Sequence, residues 1–339
     1  MQPSDIKEVE LRPLEDNDKD YESLEADIRA LFKKEIYLPL VKALAEKANV
    51  LKNSKEGLLE AIRSGRIQFY RGTFSGRFSS GISKEIKSLG GKWERKTGTW
   101  KLPQTSLPLE VRNAISASEV HFQTKIDAID RHLAQILPEE IADKLKVANH
   151  FDRTLWKVEK EFHGSLRNIT VGPQLSVGQG KRIAQEWQKN TELSIVDWTQ
   201  KEVAKLRKDI RESVYAGNRN KSIIKIIQKS HDSSISKAKF IARQETRLLL
   251  TKFKQTRYED AGVNWYKWGI SNHPVQAKNG KYVKGMVRHD HGVLANKKFR
   301  WDTPPITNTT TGARNNPGQD FNCRCYAIPI VMFKGSTNK

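Results

Sequence analysis

An α+β architecture is expected of this 339-residue chain for three reasons. Apolar residues recur at helical spacing over about 21–65 and again over about 108–260, where Val203, Leu206, Ile210 and Val214 step by three, four and four. Residues 66–107 break that pattern and read as a small β-α-β-β module. Beyond Gly262, aromatic and β-branched runs alternate with turn signals, as in a small, mainly antiparallel sheet.

Size and charge narrow the function classes. A chain of this length is expected to form two or three folding units. Its net charge is +21, yet residues 1–30 hold ten Asp or Glu against four Lys or Arg. The remainder is therefore strongly basic and suited to a polyanion, with nucleic acid met without sequence preference as the expected partner. No run approaches the ~20 apolar residues of a membrane helix. The start carries no signal peptide pattern. No membrane partner is expected, and synthesis in a cytoplasm is the default.

Taken in order, residues 1–20 read as an acidic, mobile N-terminus. The segment 21–65 reads as helical, with Leu24, Ile28, Leu31 and Phe32 on one face and a kink or break at Pro39. Within the module, "RIQFYRGTFSG" reads as a strand and "SSGISKEIKSLGG" as a short helix. "KWERKTGTWKLP" reads as a hairpin turning at Gly98, with Trp93 and Trp100 as the core. Region 108–235 reads as helical: "AGNRN" ends one helix, "KSIIKIIQKS" forms a short one, and a longer one begins near "SISKAKF" and closes at Gly262. The last unit, 236–333, holds the strand "VNWYKWGI", a hairpin turning at Asn279-Gly280, a long polar loop and a final strand in "CRCYAIPIVMF". Residues 334–339 are a tail.

Three groups of side chains carry chemistry. Glu245 falls within the apolar stripe of Ala238, Ile241, Leu248, Leu249 and Phe253, so its carboxylate needs a buried partner. Arg288 and His291 are the expected partners. The chain's two cysteines, Cys323 and Cys325, and the pair His289 and His291 each sit at i and i+2. On strands, such residues share a face with Cα atoms about 6.6 Å apart. A disulfide at that spacing is strained, whereas two thiolates and one or two imidazoles on adjacent strands suit tetrahedral zinc. Asp302 or His273 are substitutes for His289. The alternative is a pair of buried apolar thiols. The third group, "NNPG", supplies a tight turn before the last strand.

Together these pieces carry a resemblance. "IARQET" on a helix, then "WYKWGI", Arg288-x-x-His291, Phe299, Pro304-Pro305 and "NPGQDFNCRC" before an apolar strand resemble the phage head morphogenesis family, the MuF-type minor head proteins of tailed bacteriophages. The likeness covers roughly 145–333 and is strongest over 240–329. The motif positions it marks are Arg243, Glu245, Trp268, Arg288, His291, Phe299, Pro317, Gly318, Cys323 and Cys325. The module at 66–107, which looks like an insertion, lies outside the pattern. So does "GMVR", which stands where an acidic residue usually precedes the arginine. The resemblance implies a C-terminal MuF-type α+β domain in a low-copy virion component made in the host cytoplasm. It further implies a place near the portal vertex and capsid interior. There the portal oligomer and the major capsid or scaffolding protein are the partners, and the roles are head assembly and, in some members, DNA packaging or delivery. Because MuF-type domains also occur beside toxin modules, a second reading is a nuclease-like effector. In it Glu245 is base, His291 acid and Arg288 phosphate clamp. The two readings make opposite demands, since a zinc-ligating His291 is no free acid.

Overall fold

The computed structural model describes residues 6–14, 19–44, 57–166, 177–218, 220–270, 275–276, 282–283 and 287–334. The fold is α+β. The chain packs as two units that are not sequential. One takes Met1–Ile28, Glu139–Val196 and Ser236–Lys339; the other takes Arg29–Pro138 and Asp197–Ile235.

The second unit contains the helix-to-helix transition at Pro39. Helix α1 (Lys19–Phe32) leads into a π-helical turn (Lys33–Tyr37) and then α2 (Leu38–Leu44). Pro39 has no N–H for the carbonyl four residues back. That carbonyl, of Glu35, instead accepts from His132 Nε2 at 2.9 Å. The turn widens so that Leu38 N–H reaches Lys33 O. The expected kink is thus a widened turn with its freed acceptor satisfied.

The module is β-β-α-β-β, correcting the β-α-β-β expectation. "RIQFYRGTFSG" is two strands, β2 (Ile67–Tyr70) and β3 (Thr73–Gly76). Arg71 and Gly72 join them at φ 45° and 76°, the hand a two-residue hairpin needs. Arg-Gly is a weaker turn signal than Asn-Gly, which is why one strand was expected. After α3 (Leu58–Arg63), which precedes them, and α4 (Ser80–Ser88) come β4 (Lys92–Glu94) and β5 (Thr99–Lys101), in sheet order β2-β3-β5-β4. The core joins Ile62, Phe74, Ile82, Ile86 and Trp100 to Val111 and Ile115 of α5 (Leu109–Ala134). Trp100 is buried as expected, but Trp93 is 45% exposed and does not form the core.

Four helices complete the scaffold: α6 (Pro138–Lys144), α7 (Val147–Leu166), α8 (Val177–Tyr215) and α9 (Asn220–Asp260). The two helices expected across 221–260 are one, α9. The serine-rich stretch between them has no glycine or proline, and the buried series Ile223, Ile227, Ser234, Ala238 and Ile241 runs through it. At its end Val263 N–H bonds Tyr258 O at 2.8 Å and Gly262 N–H bonds Glu259 O at 2.9 Å, the paired bonds of a left-handed C-terminal cap.

In the first unit, β1 (Ile6–Glu10), β6 (Trp265–Gly269), β9 (Lys298–Arg300) and β12 (Tyr326–Lys334) form an antiparallel sheet in order β1-β12-β6-β9. Of the N-terminus expected to be mobile, Ile6–Glu10 is a strand of this sheet, while residues 1–5 and 15–18 lie outside the described residues. Glu8 and Glu10 of β1 pair with Lys298 and Lys267 of the same sheet, so the acidic start meets basic residues of its own chain. The inner face carries Tyr266 and Trp268, both fully buried. Tyr266 lies 4.4 Å from Trp301 between ring centres, and Trp301 Nε1 donates to Val263 O at 3.0 Å. Strands β7 (Val275–Gln276) and β8 (Tyr282–Val283) pair as the expected hairpin, but its turn at Asn279-Gly280 lies outside the described residues. Strands β10 (Ile306–Asn308) and β11 (Ala313–Arg314) form a small ribbon within the polar loop.

Candidate functional site

The motif residues meet where α9 supports the loop 315–325. One stripe of the helix does the work: Phe240, Arg243, Gln244, Arg247, Thr251 and Gln255 recur at steps of three and four and so face one way. Phe240 packs on Phe321 at 4.7 Å between ring centres. Arg243 Nη2 donates to Asn322 Oδ1. Gln244 Oε1 accepts from the Asn322 amide at 2.7 Å, and Arg247 Nη1 donates to Cys323 O at 3.3 Å. Gln255 Oε1 accepts from Asn316 Nδ2 at 3.4 Å.

The loop is also braced from within. Gln319 N–H bonds Asn316 O at 3.1 Å around Pro317 and Gly318, and Gly318 adopts φ 90°. Pro at the second and Gly at the third position are the residues such a turn requires. A Cβ on Gly318 would stand 2.6 Å from Thr251 Oγ1. Asn315 Nδ2 donates to Asp320 Oδ1 at 2.7 Å, and Asp320 O accepts from Cys323 N at 3.0 Å.

This bracing brings His291, Cys323 and Cys325 together. His291 is 2% exposed and each cysteine 5%. His291 Nδ1 lies 3.4 Å from Cys323 Sγ and 3.5 Å from Cys325 Sγ. The Cys325 amide points at Cys323 Sγ from 3.4 Å. On the far side of the imidazole, Nε2 lies 2.9 Å from Asp320 Oδ2. Trp268 stands edge-on to His291 at 5.6 Å, with Phe299 against Trp268 at 6.3 Å.

These neighbours set the protonation of the cluster. A hydrogen bond with Cys325 is the main influence pulling the Cys323 thiol down, assisted by His291. The same contact, with burial, pushes Cys325 up, so the pair readily gives up one proton and holds the other. His291 is raised, first by its contact with the Cys323 sulfur and further by Asp320, against the opposing effect of burial.

His289 is not part of this cluster. "HDH" begins a short helix, α10 (His289–Leu294), and not a strand. Residues two apart on a helix point to different sides. His291 turns inward, while His289 has 91% of its side chain exposed and lies 3.7 Å from Asp290. Cys323 and Cys325 likewise precede β12 and lie in irregular backbone. Asp302 is exposed and held by Arg300 at 2.7 Å, which lowers its carboxyl to about 2. His273 lies outside the described residues.

Glu245 meets neither expected partner. Burial raises its carboxyl above the usual range, opposed by Ser194 Oγ, which donates at 3.1 Å. Arg288 instead donates from Nη2 to Phe321 O. Asp320, Gln244 and Arg247 were not among the site residues expected from the sequence. The signals were present: a carboxylate three residues before Cys323, and polar residues four apart along the helix that carries Arg243.

Residues 204–328 match the model of the phage Mu protein F-like family. Over 127 residues the chain is also 27% identical to an uncharacterized protein of Haemophilus influenzae. That stretch covers 38% of this chain and 25% of the relative, so the match spans a quarter of the relative's length. No solved structure matches the chain. The match agrees with the resemblance carried by the motifs: residues 204–328 of this chain are similar to the phage Mu protein F-like family.

Proposed function

We propose that this chain is a minor head protein of a tailed phage that acts in head morphogenesis by shape and makes no chemical conversion. The match of residues 204–328 to the phage Mu protein F-like family carries this reading. The way the motif residues are used supports it. Arg243, Arg247 and Arg288 hold the loop 315–325, Glu245 is engaged by Ser194, and His291 is enclosed with the cysteines. The nuclease-like alternative needs Glu245, Arg288 and His291 to face one substrate. Their partners are Ser194, Phe321 O and the cysteine cluster respectively.

The proposed location is the virion head near the portal vertex, at low copy number, with the portal oligomer and the major capsid or scaffolding protein as partners. The net charge of +21 suits double-stranded DNA bound without sequence preference. No helix among the described residues is long and apolar enough to cross a membrane.

Heads assembled from the capsid, portal and scaffolding genes of the same phage, with and without this chain, test the proposal. The chain is expected to co-sediment with heads at far below the capsid protein's abundance and to depend on the portal for incorporation. Failure to incorporate overturns it. Binding to an unrelated DNA duplex is expected to fall steeply between 50 and 200 mM salt by roughly 10³-fold or more if six or more phosphates are contacted.

A further inference from the structure

We infer that His291 Nδ1, Cys323 Sγ and Cys325 Sγ form a zinc site whose role is to pin the loop 315–325 to α10. The inference does not depend on the head reading.

The first support is geometric. The three donor atoms lie within 4.8 Å of one another. Zinc ligated at about 2.3 Å by sulfur and 2.0–2.1 Å by nitrogen, at tetrahedral angles, places sulfur and nitrogen about 3.6 Å apart. The observed separations, 3.4 and 3.5 Å, match that edge for both cysteines. A pair of buried thiols packed as apolar groups has no need for both sulfurs to converge on one ring nitrogen.

The second support is the surroundings. A ligating histidine commonly has its other ring nitrogen fixed by a carboxylate. Asp320 Oδ2 stands 2.9 Å from Nε2, and Asp320 Oδ1 is itself anchored by Asn315. The amide of Cys325 aimed at Cys323 Sγ stabilises a thiolate, the form that binds metal. Both cysteines are free thiols. Two soft sulfurs and an imidazole favour zinc over calcium or magnesium, which prefer oxygen. The three leave the fourth tetrahedral corner to water or a carboxylate oxygen. Binding releases the protons carried by the thiols and imidazole, so it weakens as pH falls.

The third support is mechanical. The loop has little regular structure, yet Cys323, Cys325 and Pro317 are buried. A metal joining residues 32 and 34 positions apart closes it where few apolar contacts can.

The test uses the full chain, expressed with zinc in the medium and purified under reducing conditions. Elemental analysis is expected to find one zinc ion per chain. Replacement by cobalt is expected to produce thiolate-to-cobalt charge-transfer absorption in the near ultraviolet. A His289→Ala variant should keep its zinc, while Cys323→Ser with Cys325→Ser should lose it by at least tenfold. The wild-type measurements stand even if that double variant fails to fold. A wild-type chain without zinc and without the cobalt absorption overturns the inference. So does a Cys323–Cys325 disulfide in the native protein, or a folded double variant that retains zinc. Loss of zinc from His289→Ala equal to that from the cysteine variant overturns the ligand set. Head incorporation is read separately, so either proposal can fail alone.

Discussion

Gln244 and Asn322, 78 residues apart, are joined by a 2.7 Å hydrogen bond from the Asn322 amide to the Gln244 side chain. Asn322 is held at φ 55°, a conformation that asparagine tolerates better than most residues. Two motifs that look unrelated in the chain, "IARQET" and "NPGQDFNCRC", are therefore halves of one device. The helix supplies donors and acceptors, and the loop supplies backbone groups that have no sheet partner.

Gln244→Ala is expected to cost about 1 kcal/mol, the usual net worth of one such bond. Hydrogen exchange should accelerate at Asn322 and its loop neighbours while the middle of α9 stays protected. Unchanged exchange at Asn322 would show that the bond does not hold the loop.

Gly318→Ala should be more damaging. The left-handed backbone costs a non-glycine residue about 1–2 kcal/mol, and the new Cβ would lie 2.6 Å from Thr251 Oγ1. Adding Thr251→Ala should relieve the clash but not the backbone strain. Recovery of part of the lost stability in the double variant, read by urea unfolding, is the expected result; no loss in Gly318→Ala contradicts it.

Arg257 is 1% exposed, and its Nε donates to Glu159 Oε2 at 2.8 Å. Glu159→Ala leaves that guanidinium buried without its carboxylate and should cost about 3 kcal/mol, the low end for a broken buried pair because Glu159 is partly exposed. Arg257→Met in the same background should recover most of the loss. A double variant no better than Glu159→Ala argues that the pair's value lies elsewhere.

Glu245 gives a pH signature. Burial raises its folded-state pKa, so its favourable contribution is complete below the unfolded value and is lost as pH rises through the folded value. Ionised Glu245 is therefore a cost at neutral pH. Glu245→Gln keeps an acceptor for Ser194 and should raise the melting temperature at pH 7 by roughly 1–3 °C. The gain should vanish near pH 4. A gain that grows on acidification reverses the assigned sign.

The local level of this architecture was legible in the residues. Helical spacing located the stretch of α8 that buries Leu206 and Ile210 and the buried face of α9, and Gly262 marked the helix end. The proline-glycine pair located the turn before β12, and the two cysteines marked the cluster. These follow from periodicity and backbone chemistry, which act over a few neighbouring residues. Tertiary packing decided which distant groups meet. It placed Asp320 on His291, Ser194 on Glu245, Glu159 on Arg257 and the acidic first strand beside β12. It also set the phase of "HDH": a strand would have turned both histidines to one face, whereas the short helix turned one inward and left the other in water. Such choices depend on the partner surface each side chain finds after folding, and that surface is assembled from segments far apart in the chain.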